Sequence, residues 1–423
     1  MTSRCWSRDP CARELYSIVV AGLIGSTSLM PPASADTPGR LPIVLPPGDY
    51  EPREPESKDL KGELGRKLRD DALRRAQVWR RPARPIREAD LGRNPPGPFR
   101  VTDEVVCKFL PRKATGTTPK FECVLDGGEV IKVKYGDSPE LHAEPAAARL
   151  LEALGFGADR MYVVARVRCF GCPADPFVAL SCLASPFDER RSDCEGNYGV
   201  RSPTGEFLME VDYGRYSDFD EAVIERRLPG RTMETDNREG WGFDELASID
   251  ASRGGAPRAH VDALRLMAVL LNNWDNRADN QRLVCLPGGD GPEGSCRRPF
   301  ALMHDVGGSF GSKVRGQRKM DLEGWRAVPV WRDPASCLVK VESPPRHGAT
   351  FDEVPISEPG RRFAARLLRQ LSTRQVRDLF DRAGFGSADD YEPADVSGWV
   401  RAFEEKVRQI ADRPPCPRNP KEH

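Results

Sequence analysis

Two short polar segments carry the residue types that phosphoryl transfer requires. The first segment, Asn273 to Gln281, contains Asp275 and Asn280, and the second is the run from His304 to Gly308. Phosphoryl transfer needs a carboxylate that orients the nucleophile, oxygen ligands for metal ions and a cation near the phosphate. Asp-x-x-x-x-Asn lets one loop present a base and a ligand. Asp-x-Gly adds a second ligand, and its glycine lets the backbone turn away.

The elements around these segments are predicted to bring them together. The stretch from His260 to Asn273 is apolar nearly all round, which predicts a buried helix leading into the first segment. Residues 282–286 and 299–303 are predicted to form a two-stranded hairpin around a Gly- and Pro-rich insertion. Because that hairpin separates the two polar segments along the chain, they are expected to meet at one end of it.

The first half of the chain predicts a sheet, and the far end predicts helices. Alternation around turns predicts a three-stranded antiparallel meander at residues 105–110, 121–127 and 129–135. A helix is predicted from Ala146 to Leu154, ended by Gly155. Further strands are predicted at 161–167 and 221–228, and helices at 361–371 and 373–383. Ser372 and Gln375 predict a capping box for the last helix.

Taken together, these motifs resemble the protein-kinase-like superfamily in its atypical branch, which includes phosphatidylinositol-kinase-like, HipA-type and secretory-pathway kinases. Asp275 with Asn280 resembles the catalytic loop, and Asp305-Val306-Gly307 resembles a variant Asp-Phe-Gly motif. The resemblance covers roughly Val105 to Asp305. It implies an α+β, two-lobed protein-kinase-like fold with an antiparallel-sheet N-lobe and a mainly helical C-lobe.

The resemblance also implies roles for the polar residues. Asp275 would be the catalytic base, and Arg277 would lie near the γ-phosphate of ATP. Asn280 and Asp305 would hold Mg²⁺ or Mn²⁺. Three departures from the family pattern are present: Asn273 precedes the base where a His-Arg-Asp motif would stand, a single glycine lies in the loop at 114–120, and Pro145 occurs near the head of the predicted helix.

A lysine and a glutamate are expected to form the phosphate-binding pair of the N-lobe. Lys132 and Lys134 lie two residues apart, so they face the same side of a strand. The resemblance favours Lys134 with Glu144, and Lys132 stays open as the alternative lysine. Because Pro145 biases the residue before it away from helical geometry, Glu140 stays open as the alternative partner.

The loop at residues 114–120 is the candidate cover for the phosphates. It would use its backbone N–H groups and the hydroxyls of Thr117 and Thr118. The expected partners are therefore a nucleotide and a hydroxyl acceptor, which could be a protein, a sugar or a lipid head group.

The N-terminus predicts export. Basic residues at the front precede an apolar stretch from Tyr16 to Met30, and Ala33-Ser34-Ala35 matches a signal-peptidase site with cleavage after Ala35. An uncleaved interfacial anchor stays open as the alternative. Export to a periplasm, the extracellular space or a secretory lumen is expected, with no membrane span after signal removal.

The expected organisation has five parts. Residues 1–35 are the signal peptide, and 36–100 are a Pro-rich linker with one solvated amphipathic helix at Lys58 to Arg80. Residues 101–228 form the N-lobe, 229–413 the C-lobe and 414–423 a tail.

The cysteines agree with export. Cys285 and Cys296 bracket the hairpin insertion, and Cys107 and Cys123 could staple the earlier meander. The group at 169, 172, 182 and 194 could be half of a zinc ribbon, but its second pair has the wrong spacing. Disulfides are favoured because export implies an oxidising compartment.

Composition narrows the class of protein. The chain has 423 residues, with 64 Lys plus Arg balanced by 64 Asp plus Glu. Zero net charge argues against a nucleic-acid protein that neutralises phosphates with a basic face. Two alternatives to an active kinase stay open: a pseudokinase that binds without turnover, and a disulfide-stabilised extracellular binding protein.

Overall fold

The computed structural model describes residues 43–53, 60–112, 114, 116–184, 200–201, 208–209, 211–235, 238–311, 320–344, 347–386 and 395–417. The predicted signal peptide and its cleavage position lie outside these residues. From Val44 onward the described chain belongs to one unit. None of its described helices is both long enough and apolar enough to cross a bilayer.

The first lobe is built on a sheet. Helix α1 (Gly62–Arg74) precedes it, and the elements that follow are β1 (Glu104–Leu110), β2 (Lys120–Val124), β3 (Val130–Lys134), α2 (Glu140–Leu154), β4 (Arg160–Val163), β5 (Arg166–Phe170), α3 (Pro176–Ala184), β6 (Val200–Arg201), β7 (Leu208–Met209), β8 (Tyr216–Asp220) and β9 (Val223–Arg226). Among the described residues, seven strands form one sheet in the order β4-β9-β3-β2-β1-β5-β8. Its neighbours are antiparallel except β1 and β5.

The second lobe is mainly helical. It comprises β10 (Arg231–Thr232), α4 (Arg258–Leu271), β11 (Gln281–Cys285), β12 (Pro299–Met303), α5 (Leu322–Ala327), β13 (Leu338–Val339), β14 (Val354–Pro355), α6 (Glu358–Leu368), α7 (Thr373–Arg382) and α8 (Val396–Ala411). The predicted α+β class, with a sheet lobe and a helical lobe, is confirmed. The predicted hairpin is present as β11 and β12, and the capping box of α7 is formed by Ser372 and Gln375.

Helix α4 is buried along nearly its whole length, as its sequence predicts. It packs against α6 in the core of the helical lobe. Even its polar Asp262 is buried, where it accepts hydrogen bonds from Arg265 and from the backbone N–H of Ser357. The helix ends at Leu271, and its C-cap residue Asn272 has a left-handed φ of +51°. The chain therefore turns sharply out of the core and delivers the segment that contains Asp275.

Helix α2 begins earlier than the sequence predicts. It starts at Glu140 rather than at Ala146 and continues through Pro145. Proline lacks the N–H that would bond to the carbonyl four residues earlier, at Leu141. Most of α2 is buried, so tertiary packing outweighs that local penalty. Glu144 therefore lies inside a helix.

The strand predicted at 161–167 is two strands. β4 lies at one edge of the sheet next to β9, whereas β5 pairs with β1 and β8. Between them, Val164 donates its N–H to Ala222, and Ala165 accepts from Glu221. No Gly or Pro marks this break in the sequence, so the apolar run reads as one strand.

The predicted linker is wrong for residues 60–99. α1 spans Gly62–Arg74, not 58–80, and its Arg69 is 1% exposed and pairs with Glu245 at 3.0 Å. Residues 60–99 are called the arm here. Its apolar residues in the main core with α2 and α4 are Ala72, Leu73, Ala76, Val78, Ile86 and Leu91. Pro82 and Pro85 separate Val78 from Ile86, so the helical pattern predicted up to Arg80 does not continue to the later members of this group.

Four disulfides lie within the described residues. Cys107–Cys123 and Cys285–Cys296 are the two that the sequence predicts. Cys169 and Cys172 bond to each other, and a fourth disulfide joins Cys337 to Cys416. A zinc ribbon needs free thiolates, so the disulfide interpretation is favoured at this pair. Cys194 and the side chain of Cys182 lie outside the described part of the structure.

Candidate active site

A buried lysine joins the two lobes. Lys134, at the end of β3, donates a hydrogen bond to Glu144 of α2, and both side chains are at most 2% exposed. The Lys134 Nζ also lies 3.5 Å from Glu225 Oε2 and 4.0 Å from Asp305 Oδ1. A cation of β3 therefore meets carboxylates from α2, from β9 and from the chain after β12. Glu140, the alternative partner for Lys134, instead accepts a hydrogen bond from Thr118.

The charges at this point stabilise one another. Burial works against the charged form of Lys134, but the surrounding carboxylates outweigh it and raise the pKa of Lys134 well above its usual value. Burial raises the pKa of Glu144 to about 7, and Lys134 opposes that rise. Burial would also raise the pKa of Asp305, but Lys134 and His304 lower it below its usual value. Lys134 is therefore held protonated.

Glu225 is a site residue that the sequence analysis missed. It is 4% exposed on β9 and accepts a hydrogen bond from Lys132 at 2.8 Å. Lys132 and Lys134 thus share one carboxylate, as expected of two lysines on one face of a strand. No local pattern in the sequence marks Glu225, because its burial depends on the position of β9 between β3 and β4.

Behind Asp305 lies a second buried network. His304 Nδ1 lies 2.6 Å from Asp159 Oδ2, and Asp159 also accepts from Arg282 at 2.8 Å and from the backbone N–H of Leu228. Asp159, Glu225 and His304 bring possible metal-ligand atoms within 4.8 Å of one another. Arg282 and the β3 lysines already neutralise these carboxylates, so an added cation would be repelled. The network instead fixes the chain just before Asp305.

The Asp-x-Gly turn contacts the head of α2. Asp305 has a left-handed φ of +42°, a strained geometry for a residue with a side chain. A Cβ added at Gly307 would lie 3.0 Å from Glu140 Cγ, so only glycine fits there without displacing that side chain. Glu140 in turn accepts a hydrogen bond from the buried Thr118. Thr118 therefore faces α2, whereas Thr117 is exposed.

The Asp275 loop lies against the same turn. The backbone N–H of Trp274 donates to the carbonyl of Gly308 at 3.0 Å. A Cβ added at Gly308 would lie 2.9 Å from the Asp275 Cβ. The two polar segments therefore lie side by side, as their positions around the hairpin predict.

Asp275 and Asn280 are held within one loop by Arg277. Arg277 donates from Nε to Asp275 Oδ1 at 3.0 Å and from a terminal nitrogen to Asn280 Oδ1 at 3.4 Å. The amide nitrogen of Asn280 donates to the backbone carbonyl of Asp275 at 2.8 Å, which turns its oxygen the other way. His347 Nε2 lies 2.8 Å from the same Asp275 oxygen, without the alignment of a good hydrogen bond.

His347 belongs to a strap, defined here as residues 343–344 and 347–351, that crosses this loop. Asn276 is fully buried and holds the strap: its oxygen accepts from the backbone N–H groups of Thr350 and Phe351, both at 2.9 Å. Its nitrogen donates to Ser343 at 3.0 Å. Sequence reasoning missed Asn276 and His347, because these contacts join residues about seventy positions apart, with no local pattern.

Lys120 is a second lysine that the sequence analysis missed. It lies directly across from Lys134 on β2. A Cβ added at Gly116 would lie 3.1 Å from the Lys120 Nζ, so this lysine lies under the loop predicted to cover phosphates. Burial and repulsion by Lys134 lower the pKa of Lys120, and Asp305 opposes the shift.

Comparison with known proteins gives little beyond this geometry. The chain matches no protein-family model and no curated protein. Among solved structures it is similar to a Helicobacter pylori proinflammatory kinase, CtkA, with 8% sequence identity and a TM-score of 0.36, over 73% of this chain and 97% of that chain. A similarity this weak says nothing about individual residues or about activity.

The structure thus brings the predicted residues into two adjoining groups. Lys134, Glu144 and Asp305 form the first group, which is centred on the buried Lys134–Glu144 pair, and Asp275, Arg277 and Asn280 form the second group, within one loop. Gly307 and Gly308 join the two. Of the two predicted threonines, Thr118 has its hydroxyl engaged by Glu140. The arrangement offers cations for phosphate, oxygen ligands for a divalent metal and a carboxylate for a hydroxyl proton.

Proposed function

We propose that this chain transfers the γ-phosphate of ATP to a hydroxyl acceptor. One observation carries the proposal: the buried Lys134–Glu144 pair meets Asp305 at the point where the turn after β12 contacts the Asp275 loop. Buried ion pairs are costly unless they are well matched, so an arrangement that connects three distant elements is more than a surface coincidence.

In this proposal each residue has one task. Lys134 binds phosphate oxygens and is held in place by Glu144, with Lys120 adding positive charge from β2. Asp275 orients the acceptor hydroxyl and accepts its proton. Arg277 lies beside Asp275 and can turn its guanidinium toward the transferring phosphate, because 38% of its side chain is exposed. Positioning and charge stabilisation of this kind account for most phosphoryl-transfer catalysis.

The residues present fit a divalent metal. Asp305 supplies a carboxylate that is 34% exposed, and Asn280 supplies an amide oxygen whose orientation is fixed by its nitrogen. Hard oxygen ligands of this type suit Mg²⁺ or Mn²⁺, which would be completed by phosphate oxygens and water. When bound, such an ion neutralises charge on the phosphates.

The acceptor is proposed only as a class: the hydroxyl of a protein, a sugar or a lipid head group. We also propose that the protein is exported. The four disulfides among the described residues support an oxidising compartment.

Transfer from γ-labelled ATP tests the proposal. The chain is incubated with Mg²⁺ or Mn²⁺, and label is followed into itself and into candidate hydroxyl acceptors. Asp275→Asn should reduce the rate by about 10²- to 10⁴-fold, the usual range for loss of a positioned acid or base. Asp279→Asn, a more exposed carboxylate of the same loop, is the matched control and should retain most activity. Equal rates in both variants would reject Asp275 as the base.

A pseudokinase is the second candidate, favoured because the Thr118 hydroxyl donates its one proton to Glu140, so this donor is not available to a phosphate oxygen. It predicts that ATP with Mn²⁺ raises the unfolding temperature while no label is transferred. Asp305→Asn should abolish that rise for either kinase-like function. No rise with any metal would favour a binding protein without a nucleotide site.

A further inference from the structure

A cationic cleft lies beside α2, next to the edge strand β4 of the sheet. It is partly open to solvent and is lined by the arm before the sheet, by α2, by β4 and by the end of α7. Its apolar floor includes Leu91, Met161 and Leu379. Three arginines also line it: Arg93, Arg149 and Arg382. Within the described part of the chain, no Asp or Glu lines this cleft.

Arg382 is the most informative of these residues. It ends α7 and is half-buried, and its Nε is buried without a hydrogen-bond partner. No carboxylate of the described residues lies within ion-pair distance of it. Burial lowers the pKa of Arg382, and no neighbouring charge offsets this. A guanidinium that is partly desolvated and unpaired is costly for the folded protein unless a ligand pairs with it.

Arg149 reinforces the positive charge of the cleft. It is 13% exposed and bonds to Glu152 at 3.0 Å and to the carbonyl of Asp90 at 2.8 Å. Its Nε is buried and unpaired, like that of Arg382. Arg93 is 83% exposed at the rim and pairs with Asp90 at 2.9 Å. Both Nε atoms lack a partner but have almost no accessible surface, so an anion in the cleft would contact the terminal nitrogens of these arginines.

We infer that this cleft binds a small tetrahedral oxyanion, phosphate or a small phosphate monoester, between Arg149 and Arg382. Guanidinium groups are suited to phosphate because their N–H donors match its oxygens. The cleft is narrow and partly open to solvent, so only a small ligand fits it. Its apolar floor would accommodate the carbon part of a monoester. The inference does not depend on the proposed transfer reaction.

The location gives the bound anion a mechanical consequence. Pro145 and Arg149 line the cleft from the same helix that carries Glu144. An anion held by both arginines would connect α2 to α7, across the junction of the two lobes. It would therefore hold α2 where Glu144 meets Lys134.

Thermal unfolding of the full chain tests the inference, without nucleotide and with a metal chelator present. Inorganic phosphate is titrated at constant ionic strength set with sodium chloride. Wild type should show a saturable rise in unfolding temperature, as expected for a ligand that binds the folded state. A small monoester, glycerol phosphate, is titrated in parallel. A rise at lower concentration with the monoester would identify phosphate esters as the source, and equal or weaker response would identify free phosphate.

Variants distinguish this cleft from other phosphate sites. Arg382→Met should remove the saturable rise and, because it removes an unpaired buried charge, should raise the unfolding temperature without phosphate. Arg374→Met, an exposed arginine of the same helix, is the matched control and should keep the rise. Lys120→Met should also keep it. If Arg382→Met fails to fold, Arg382→Gln replaces it in the same test.

Two results would overturn the inference. One is a rise of equal size in wild type and Arg382→Met. The other is loss of the rise in Lys120→Met with retention in Arg382→Met, which would assign phosphate to the candidate active site.

Discussion

The two ends of the candidate active site are built in different ways. At the first end, the side chains of Lys134, Glu144 and Glu225 are at most 2% exposed and their charges are matched with one another. Around Asp275 the side chains are partly exposed, at 22% for Asp275 and His347, and backbone hydrogen bonds fix the loop. The buried end therefore depends on charge balance, whereas the exposed end depends on hydrogen-bond geometry. Substitutions should cost stability at the first end and turnover at the second.

Lys134→Met should have the largest effect. It leaves Glu144 and Glu225 without their shared cation, and loss of one partner of a buried pair typically costs about 3–5 kcal/mol. Lys132→Met, whose side chain is 23% exposed, should cost about 2 kcal/mol or less. Urea unfolding measures both. Equal losses would contradict the contrast, because they would mean that burial at Lys134 is unimportant.

Asn276→Ala should have the second-largest effect, a loss of about 2–3 kcal/mol in the free energy of unfolding. It leaves the backbone N–H groups of Thr350 and Phe351 without their acceptor, and an unsatisfied buried donor costs about 1–3 kcal/mol. The strap should then release the Asp275 loop, so turnover should fall as well. Thr350→Val keeps the backbone contacts and should lose less of both. A stable and fully active Asn276→Ala would show that the strap does not hold the loop.

His347→Ala should mainly affect turnover. It removes one of two groups that contact the same Asp275 oxygen, and Arg277 still holds the other contact. We expect about a tenfold loss in kcat, equivalent to about 1.4 kcal/mol, with the KM for ATP unchanged. Steady-state kinetics measures the two constants separately. A change in KM alone would place His347 on the nucleotide side of the site.

The smallest expected effect is a difference in amine reactivity between the facing lysines Lys120 and Lys134. The pKa of Lys120 is lowered, mainly by burial and then by Lys134, whereas the pKa of Lys134 is raised. At a given alkaline pH, a larger fraction of Lys120 is unprotonated and reactive. Competitive amine labelling followed by mass spectrometry should therefore modify Lys120 at lower pH than Lys134. The reverse order would show that the charge balance has been assigned incorrectly.

Local patterns predicted most of the elements that position the site. Alternating strands, the apolar α4 and the Ser372–Gln375 capping box all depend on neighbours in sequence, and the structure contains them. Asp275 and Asp305 were brought together in the prediction because a single hairpin separates them. The start of α2 was not predictable, because packing of the whole helix outweighs the local preference of Pro145.

Other features depend on residues far apart in the chain. The contact of Asn276 with Thr350 and the burial of Glu225 between two strands follow from tertiary structure alone. The arm at residues 60–99 joins the core although its alternating charges predict a solvated helix, because the apolar residues that it packs against lie in α2 and α4, far along the chain. Lys120 was missed for a similar reason, since its position opposite Lys134 depends on strand register.

The disulfide between Cys337 and Cys416 spans 79 residues and encloses α6, α7 and α8. On the chain-entropy model, closing a loop of that size in the unfolded chain stabilises the folded protein by roughly 4.5 kcal/mol. It also has a consequence for proteolysis. If a protease cuts the backbone once anywhere inside this loop, both fragments remain covalently joined. Such a nicked molecule would migrate as one species on a gel without reductant and as two species with it.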